Sequence, residues 1–242
     1  MSQKTRSILV VDDEVDTCAN LSDIFCDLGF EVDIAHDGSS ALELVRRRHY
    51  DVALLDLKMP GMDGLELYRR IKELRAGTVA MIVTAYASDA TAQAALDAGA
   101  WRVIPKPVDP QKLFTFVEEA ISQPLVMIID DDPDLCASLW ELLRENGFRA
   151  CIARGLHDAA NRLKDTDLNV ALIDMRLPEG NGHQVYQLIR ESNPSARTIV
   201  ITGYRSETEQ LVAKVLAAGA DAVCYKPFDV PMLLDTVNKL SR

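Results

Sequence analysis

Short, nearly unbroken apolar runs alternate along this chain with stretches whose apolar residues recur every three or four positions. In the first half the runs Ile8–Val11, Val32–Ala35, Val52–Leu55, Val79–Val83 and Arg102–Ile104 predict strands. Several are apolar at almost every position, as expected of a parallel sheet covered on both faces. Between them, Val15, Cys18, Leu21, Phe25 and Leu28 keep helical spacing, as do Ala41, Leu42 and Val45, then Leu65, Leu67, Tyr68 and Ile71. A last helical stretch, Leu113, Phe116, Val117, Ala120 and Ile121, closes the unit. The pattern is (βα)5, which predicts an α/β doubly wound parallel sheet.

The second half repeats the first from Val126 to Leu240. At a shift of 118, Asp12-Asp13 falls on Asp130-Asp131, Cys18 on Cys136, Asp56 on Asp174, Gly64 on Gly182 and Thr84 on Thr202. The register then slips by two, so that Lys106-Pro107 meets Lys226-Pro227 at a shift of 120. A period this long means a duplicated domain rather than an array of small repeats. The expected division is a first domain over 1–122 and a second over 125–242, joined by a short linker at 122–125.

Charge and composition narrow the possibilities. The net charge is -11, of which residues 1–123 carry -7 and residues 124–242 carry -4. Both halves repel a phosphate backbone, which argues against direct nucleic-acid binding. No apolar run reaches the roughly 18 residues of a membrane span, and no secretory signal opens the chain, so a cytoplasmic location is expected. Five cysteines, an odd number without a CxxC pair, give little support to disulfides or structural zinc. Cys18 is expected in the core, and Arg46-Arg47-Arg48 at a helix C-terminus.

Open α/β sheets bind ligands beyond the carboxyl ends of their strands. At those ends stand Asp12-Asp13, Asp56, Thr84 and Lys106 in the first copy, and Asp130-Asp131, Asp174, Thr202 and Lys226 in the second. Three carboxylates meeting at one rim repel one another, and a hard divalent cation such as Mg2+ relieves that repulsion while keeping positions open for phosphate oxygens. With a lysine and a threonine beside it, the set describes a site for an acyl phosphate on the protein's own aspartate, with Asp56 or Asp174 as nucleophile.

The runs around these residues are Val10-Val11-Asp12-Asp13-Glu14, Leu54-Leu55-Asp56-Leu57-Lys58-Met59-Pro60-Gly61-Met62-Asp63-Gly64, Val83-Thr84-Ala85 and Pro105-Lys106-Pro107. Their counterparts are Ile128-Ile129-Asp130-Asp131-Asp132, Ile173-Asp174-Met175-Arg176-Leu177-Pro178-Glu179-Gly180-Asn181-Gly182, Ile201-Thr202-Gly203 and Tyr225-Lys226-Pro227-Phe228. Over nearly the whole chain this resembles the receiver domains of bacterial two-component response regulators. The resemblance implies a flavodoxin-like sheet of order 2-1-3-4-5 in each copy. It also implies phosphoryl transfer to Asp56 and Asp174 from a histidine kinase or phosphotransfer protein, and a downstream protein partner. By the same resemblance Asp13 and Asp131 ligate Mg2+ directly, Asp12 and Asp130 assist through water, and Lys58 and Arg176 offer backbone carbonyls. Thr84 and Thr202 act as switches, and Lys106-Pro107 and Lys226-Pro227 match positions that are often cis. Phosphorylation is then expected to repack the face of the fourth helix, fifth strand and fifth helix, the candidate surface for a homodimer. The protein is expected to catalyse only its own phosphorylation and dephosphorylation.

One position departs from the family. The aromatic residue that often precedes the lysine by three is Val103 in the first copy and Val223 in the second. Ala85 and Gly203 leave the phosphoryl accessible, while Tyr86 and Tyr204 stand where they hinder attacking water, so slow dephosphorylation is expected. Two alternatives stand beside this reading. In one, only one receiver is phosphorylated and the other is a docking or dimerisation unit. In the other, the chain is the receiver portion of a larger hybrid kinase or output-bearing regulator. An aspartyl-phosphate phosphatase is disfavoured, since Lys58 and Arg176 stand where its general acid would be. A dinucleotide-binding domain is disfavoured because no GxGxxG follows the first strand.

Overall fold

The computed structural model describes residues 6–75, 77–85, 89–163, 167–178, 180–203 and 205–242. The chain divides between Ser122 and Gln123 into two units.

In the first unit the elements are β1 (Ser7–Val11), α1 (Val15–Asp27), β2 (Glu31–Ala35), α2 (Gly38–Arg47), β3 (Val52–Leu55), α3 (Gly64–Leu74), β4 (Val79–Thr84), α4 (Asp89–Asp97), β5 (Arg102–Pro105) and α5 (Pro110–Ser122). All strand pairs are parallel and the sheet order is β2-β1-β3-β4-β5. The continuous apolar runs have the expected cause. Leu9, Val11, Ala53, Leu55, Ala80 and Ile82 enter one core cluster, while their neighbours Ile8, Val10, Val52, Leu54, Met81 and Val83 enter the other. Successive side chains point to opposite faces, so a sheet buried on both sides needs apolar residues throughout.

The second unit holds β6 (Leu125–Ile129), α6 (Pro133–Glu145), β7 (Arg149–Ala153), α7 (Leu156–Leu163), β8 (Val170–Asp174), α8 (Gly182–Ser192), β9 (Arg197–Thr202), α9 (Arg205–Ala217), β10 (Ala222–Tyr225) and α10 (Val230–Leu240). Its sheet order, read from the other edge, is β7-β6-β8-β9-β10, the same 2-1-3-4-5 arrangement. Each unit is thus a flavodoxin-like (βα)5 sandwich. The two residues inserted in the second copy lie between β9 and β10, where α9 spans 13 residues against 9 for α4.

Strand boundaries in the first unit lie within one residue of the sequence reading, and β3 matches it at both ends. Leu28 is a clearer departure: it caps the C-terminus of α1 and is 47% exposed, off the buried face that Cys18 and Phe25 form. Arg48 likewise lies just past α2, paired with Glu31 at 2.7 Å and Asp33 at 3.4 Å across the edge strand β2. Lys106-Pro107 and Lys226-Pro227 are both cis. Among the described residues no helix is long and apolar enough to cross a membrane.

Candidate functional site

Strand register builds the rim. Val11 pairs with Leu55, so Asp12 and Asp56, the next residues, emerge side by side. Thr84 pairs with Pro105, so Lys106 follows at the same edge, and its amide donates to the Thr84 carbonyl at 2.9 Å. In the second unit Asp174 pairs with Ile201 and Tyr225 with Thr202, and the Lys226 amide donates to the Thr202 carbonyl at 2.8 Å. Asp12, Asp56, Asp130, Asp174, Thr84 and Thr202 are all buried, whereas Asp13 and Asp131 face solvent.

The lysines lie between the carboxylates. Lys106 Nζ is 2.6 Å from Asp12 Oδ2 and 3.3 Å from Asp56 Oδ1. Lys226 Nζ is 2.7 Å from both Asp130 Oδ2 and Asp174 Oδ2. The carboxylate repulsion read from the sequence is therefore already partly offset by an internal ammonium. A cation entering each pocket finds one lysine and three acids. Burial raises Asp56 above the ordinary carboxylate value, with Lys106 and the Lys58 amide pulling the other way. Asp174 is also raised by burial, opposed by its hydrogen bond from Lys226. For both lysines burial works against the charge, but hydrogen bonds to Asp12 or Asp130 and the adjoining acids outweigh it, and each is raised.

Backbone groups orient the acids. Asp56 Oδ2 accepts from the Lys58 amide at 2.8 Å and Asp174 Oδ1 from the Arg176 amide at 3.1 Å. Asp12 Oδ1 and Asp130 Oδ1 each accept from the amide two residues on at 3.0 Å. The thiols of Cys18 and Cys136 donate to the carbonyls of Asp12 and Asp130, each at 3.3 Å. These contacts were not anticipated from the sequence, although both cysteines fall at the same register of the repeat. Burial first, then the adjacent acid, pushes these thiols up to about 11 and about 12, so they remain protonated donors.

Ligand oxygens of Asp130, Asp131 and Asp174 lie within 4.8 Å of one another, close enough for a single ion. Hard oxygen donors suit Mg2+, which takes one or two carboxylates directly and keeps waters for its other positions. Among the described residues no such grouping is met by Asp12, Asp13 and Asp56, whose lysine leans towards Asp12. Next to Asp13 a cleft of about 590 Å³ opens between the β3–α3 loop and α4, lined by Leu57, Lys58, Met59, Pro60, Leu65 and Ala94 among others. Ala85 and Gly203, after the threonines, are exposed. Val103 and Val223, three residues before each lysine, are partly buried. Tyr86, Tyr204 and Glu179 lie outside the described residues.

The sequence profile of the response regulator receiver domain matches residues 8–118 and again 126–238. A response regulator receiver protein of Anaeromyxobacter sp. (strain Fw109-5) is 34% identical over 237 residues, covering 98% of this chain and 96% of that protein. The transcriptional regulatory protein ZraR of Klebsiella oxytoca is 38% identical over 122 residues, 50% of this chain but only 28% of that protein. Among solved structures, a CheY-like receiver domain protein from Methanospirillum hungatei JF-1 matches 49% of this chain and 94% of its own, with 34% identity and a TM-score of 0.48.

Proposed function

The chain belongs to the response regulator receiver family, twice over, and from that premise we propose that Asp56 and Asp174 are independent phosphoacceptors of a two-component phosphorelay. Receiver domains of this family are phosphoacceptor signalling modules rather than conventional enzymes, and they work with histidine kinases or phosphotransfer proteins. The observation that carries the reading is the duplicated rim. In each unit a buried aspartate is held by a backbone amide, faces a lysine and stands beside an acid pair and a buried threonine.

Asp13, Asp56 and the Lys58 carbonyl would hold Mg2+ in the first domain, with Asp12 assisting. Asp131, Asp174 and the Arg176 carbonyl would do so in the second, with Asp130 assisting. Bound there, Mg2+ supplies positive charge against the phosphoryl oxygens. A carboxylate oxygen of Asp56 or Asp174 forms the new bond to phosphorus. The bond from phosphorus to the donor nitrogen breaks, and its electron pair leaves with the donor imidazole. Lys106 or Lys226, already at the carboxylate, then meets a phosphoryl oxygen, and the Thr84 or Thr202 hydroxyl turns to another. The added charge is read as a repacked α4–β5–α5 face, or its α9–β10–α10 counterpart, presented to a downstream protein.

Intact mass after incubation with acetyl phosphate and Mg2+ tests this. Two added phosphoryl groups are expected in the parent, one of them lost with Asp56→Asn and the other with Asp174→Asn. One group only would assign the silent domain to docking. No group from acetyl phosphate, a histidine kinase or a phosphotransfer protein would end the phosphoacceptor reading.

A further inference from the structure

The loop that follows each phosphoacceptor touches the first residue of the helix after the second strand of its unit. In the first unit α2 begins at buried Gly38, and Met62 lies across it. A Cβ added at Gly38 would come 2.7 Å from Met62 Sδ and 2.9 Å from Met62 Cβ. At the repeat shift of 118 the second unit has Leu156 in place of Gly38 and Gly180 in place of Met62. The large and small partners have changed places. There a Cβ added at Gly180 would meet Leu156 Cδ2 at 3.5 Å.

The exchange has a backbone cause. The first loop places its left-handed residue at Gly61, φ +82, which leaves the next position able to carry a side chain. The second loop places it one register later, at Gly180, φ +89. A side chain there would be strained. It would also lie 2.5 Å from Gln184 Oε1, the group that closes the capping box of α8. The gap between loop and helix must then be filled from the helix, and Leu156 at the start of α7 fills it.

We propose that this exchanged pair, Met62 on Gly38 and Leu156 on Gly180, braces the phosphoacceptor loop, and that a filled gap sets how well the loop presents its acid pocket to Mg2+. The inference rests on the metal-dependent reading above. The braced segments run from Asp56 to the α3 cap Asp63, and from Asp174 to the α8 cap Asn181. Each carries the amide, of Lys58 or Arg176, that orients the acceptor carboxylate. Met62 and Leu156 are positioning residues: neither side chain carries a hard oxygen donor for Mg2+, so each acts through the loop.

The test uses the full chain with the second pocket silenced by Asp131→Asn. Into it go Gly38→Leu, Met62→Gly and the two together, which imports the arrangement of the second domain into the first. The Mg2+ dissociation constant is measured by calorimetry without a phosphodonor, alongside the thermal midpoint of the metal-free chain. Each single change, one overfilling the gap and one emptying it, is expected to weaken Mg2+ by about tenfold, the low end for groups that orient metal ligands. The double variant is expected to return to within about twofold of the parent, a strong non-additivity. Single variants that melt earlier but bind Mg2+ like the parent would reduce the pair to ordinary packing and overturn the proposal. So would a double variant as weak as the worse single one. If Gly38→Leu does not fold, Met62→Ala against Met62→Leu makes the same comparison, with affinity lost in the first and kept in the second. A parent that binds no Mg2+ would overturn the metal reading and this inference together.

Discussion

Asp56 and Asp174 are 6% and 8% exposed, so their charge is costly before any ligand arrives. Burial raises both carboxyls in the folded chain above the ordinary 3.8. A raised carboxyl contributes stability that is complete below 3.8 and is lost as pH rises through its folded value, so at neutral pH each charged carboxylate costs its own domain stability. Removing that charge is therefore expected to stabilise. In chelator at pH 7, Asp56→Asn should raise the melting midpoint of its domain. The gain should vanish as pH falls below 3.8, where the parent carboxyl is neutral as well. Lys226 is closer to Asp174 than Lys106 is to Asp56, 2.7 against 3.3 Å, so Asp174→Asn should gain less. Calorimetry across pH checks both statements, and a fall in midpoint with either variant at pH 7 would contradict the account.

At the scale of elements, the loops from Asp56 to α3 and from Asp174 to α8 are set by how closely the end of each returns to its beginning. A Cβ at Gly64 would run into the carbonyl oxygen of Asp56, with the carbonyl carbon at 2.9 Å and Leu57 Cα at 3.1 Å. At Gly182 the same addition would meet the Asp174 carbonyl oxygen at 2.5 Å. In each case the obstacle is backbone, which cannot rotate aside. Gly64→Ala is expected to cost about 1–3 kcal/mol, the usual range for overpacking. It should also lower the rate of phosphorylation on Asp56, because the displaced atoms are the acceptor's own backbone. Hydrogen exchange of the β3 amides and intact mass against time measure the two effects. Unchanged exchange protection would show that the loop yields freely. Helix α3 is further tied to the end of α4 by the Tyr68 hydroxyl, which donates to the Gly99 carbonyl at 2.6 Å. Tyr186 makes the matching bond to Ala218 at 2.5 Å.

For the whole molecule, the duplicated site predicts two acceptors that answer separately to substitution, and the duplicated surface predicts two readouts. Leu96 on α4 and Leu216 on α9 stand at equivalent places and are 42% and 44% exposed. Both belong to the helices whose repacking with phosphorylation is proposed above, where an exposed leucine is available to a partner. If that contact is a second copy, beryllofluoride with Mg2+ should increase the sedimentation coefficient of the parent. Leu96→Ser combined with Leu216→Ser should abolish the increase while leaving phosphoryl uptake intact. Equal sedimentation with and without the analogue would leave the face to a different partner.

Much of this was legible in the residues themselves. The apolar runs Ile8–Val11 and Val52–Leu55, the alternation of strand and helix, and the repeat near 118 determined two doubly wound sheets, because periodicity is a local property of sequence. The acids, threonines and lysines could be placed at strand ends because each directly follows or ends an apolar run. Helix α4 left little signal: Asp89–Asp97 is rich in alanine and lacks a distinct apolar face. The same local reading put Leu28 on a buried stripe that the end of α1 in fact abandons. Only tertiary structure decided that Lys106 and Lys226 sit between carboxylates, that Cys18 and Cys136 donate to the acid backbone, and that Gly64 and Gly182 press on the backbone of Asp56 and Asp174. The trade of Met62 on Gly38 for Leu156 on Gly180 belongs to the same class. Each of these is a contact between segments brought together by folding, and its sign depends on tenths of an ångström in close-packed surroundings, which no periodicity along the chain encodes.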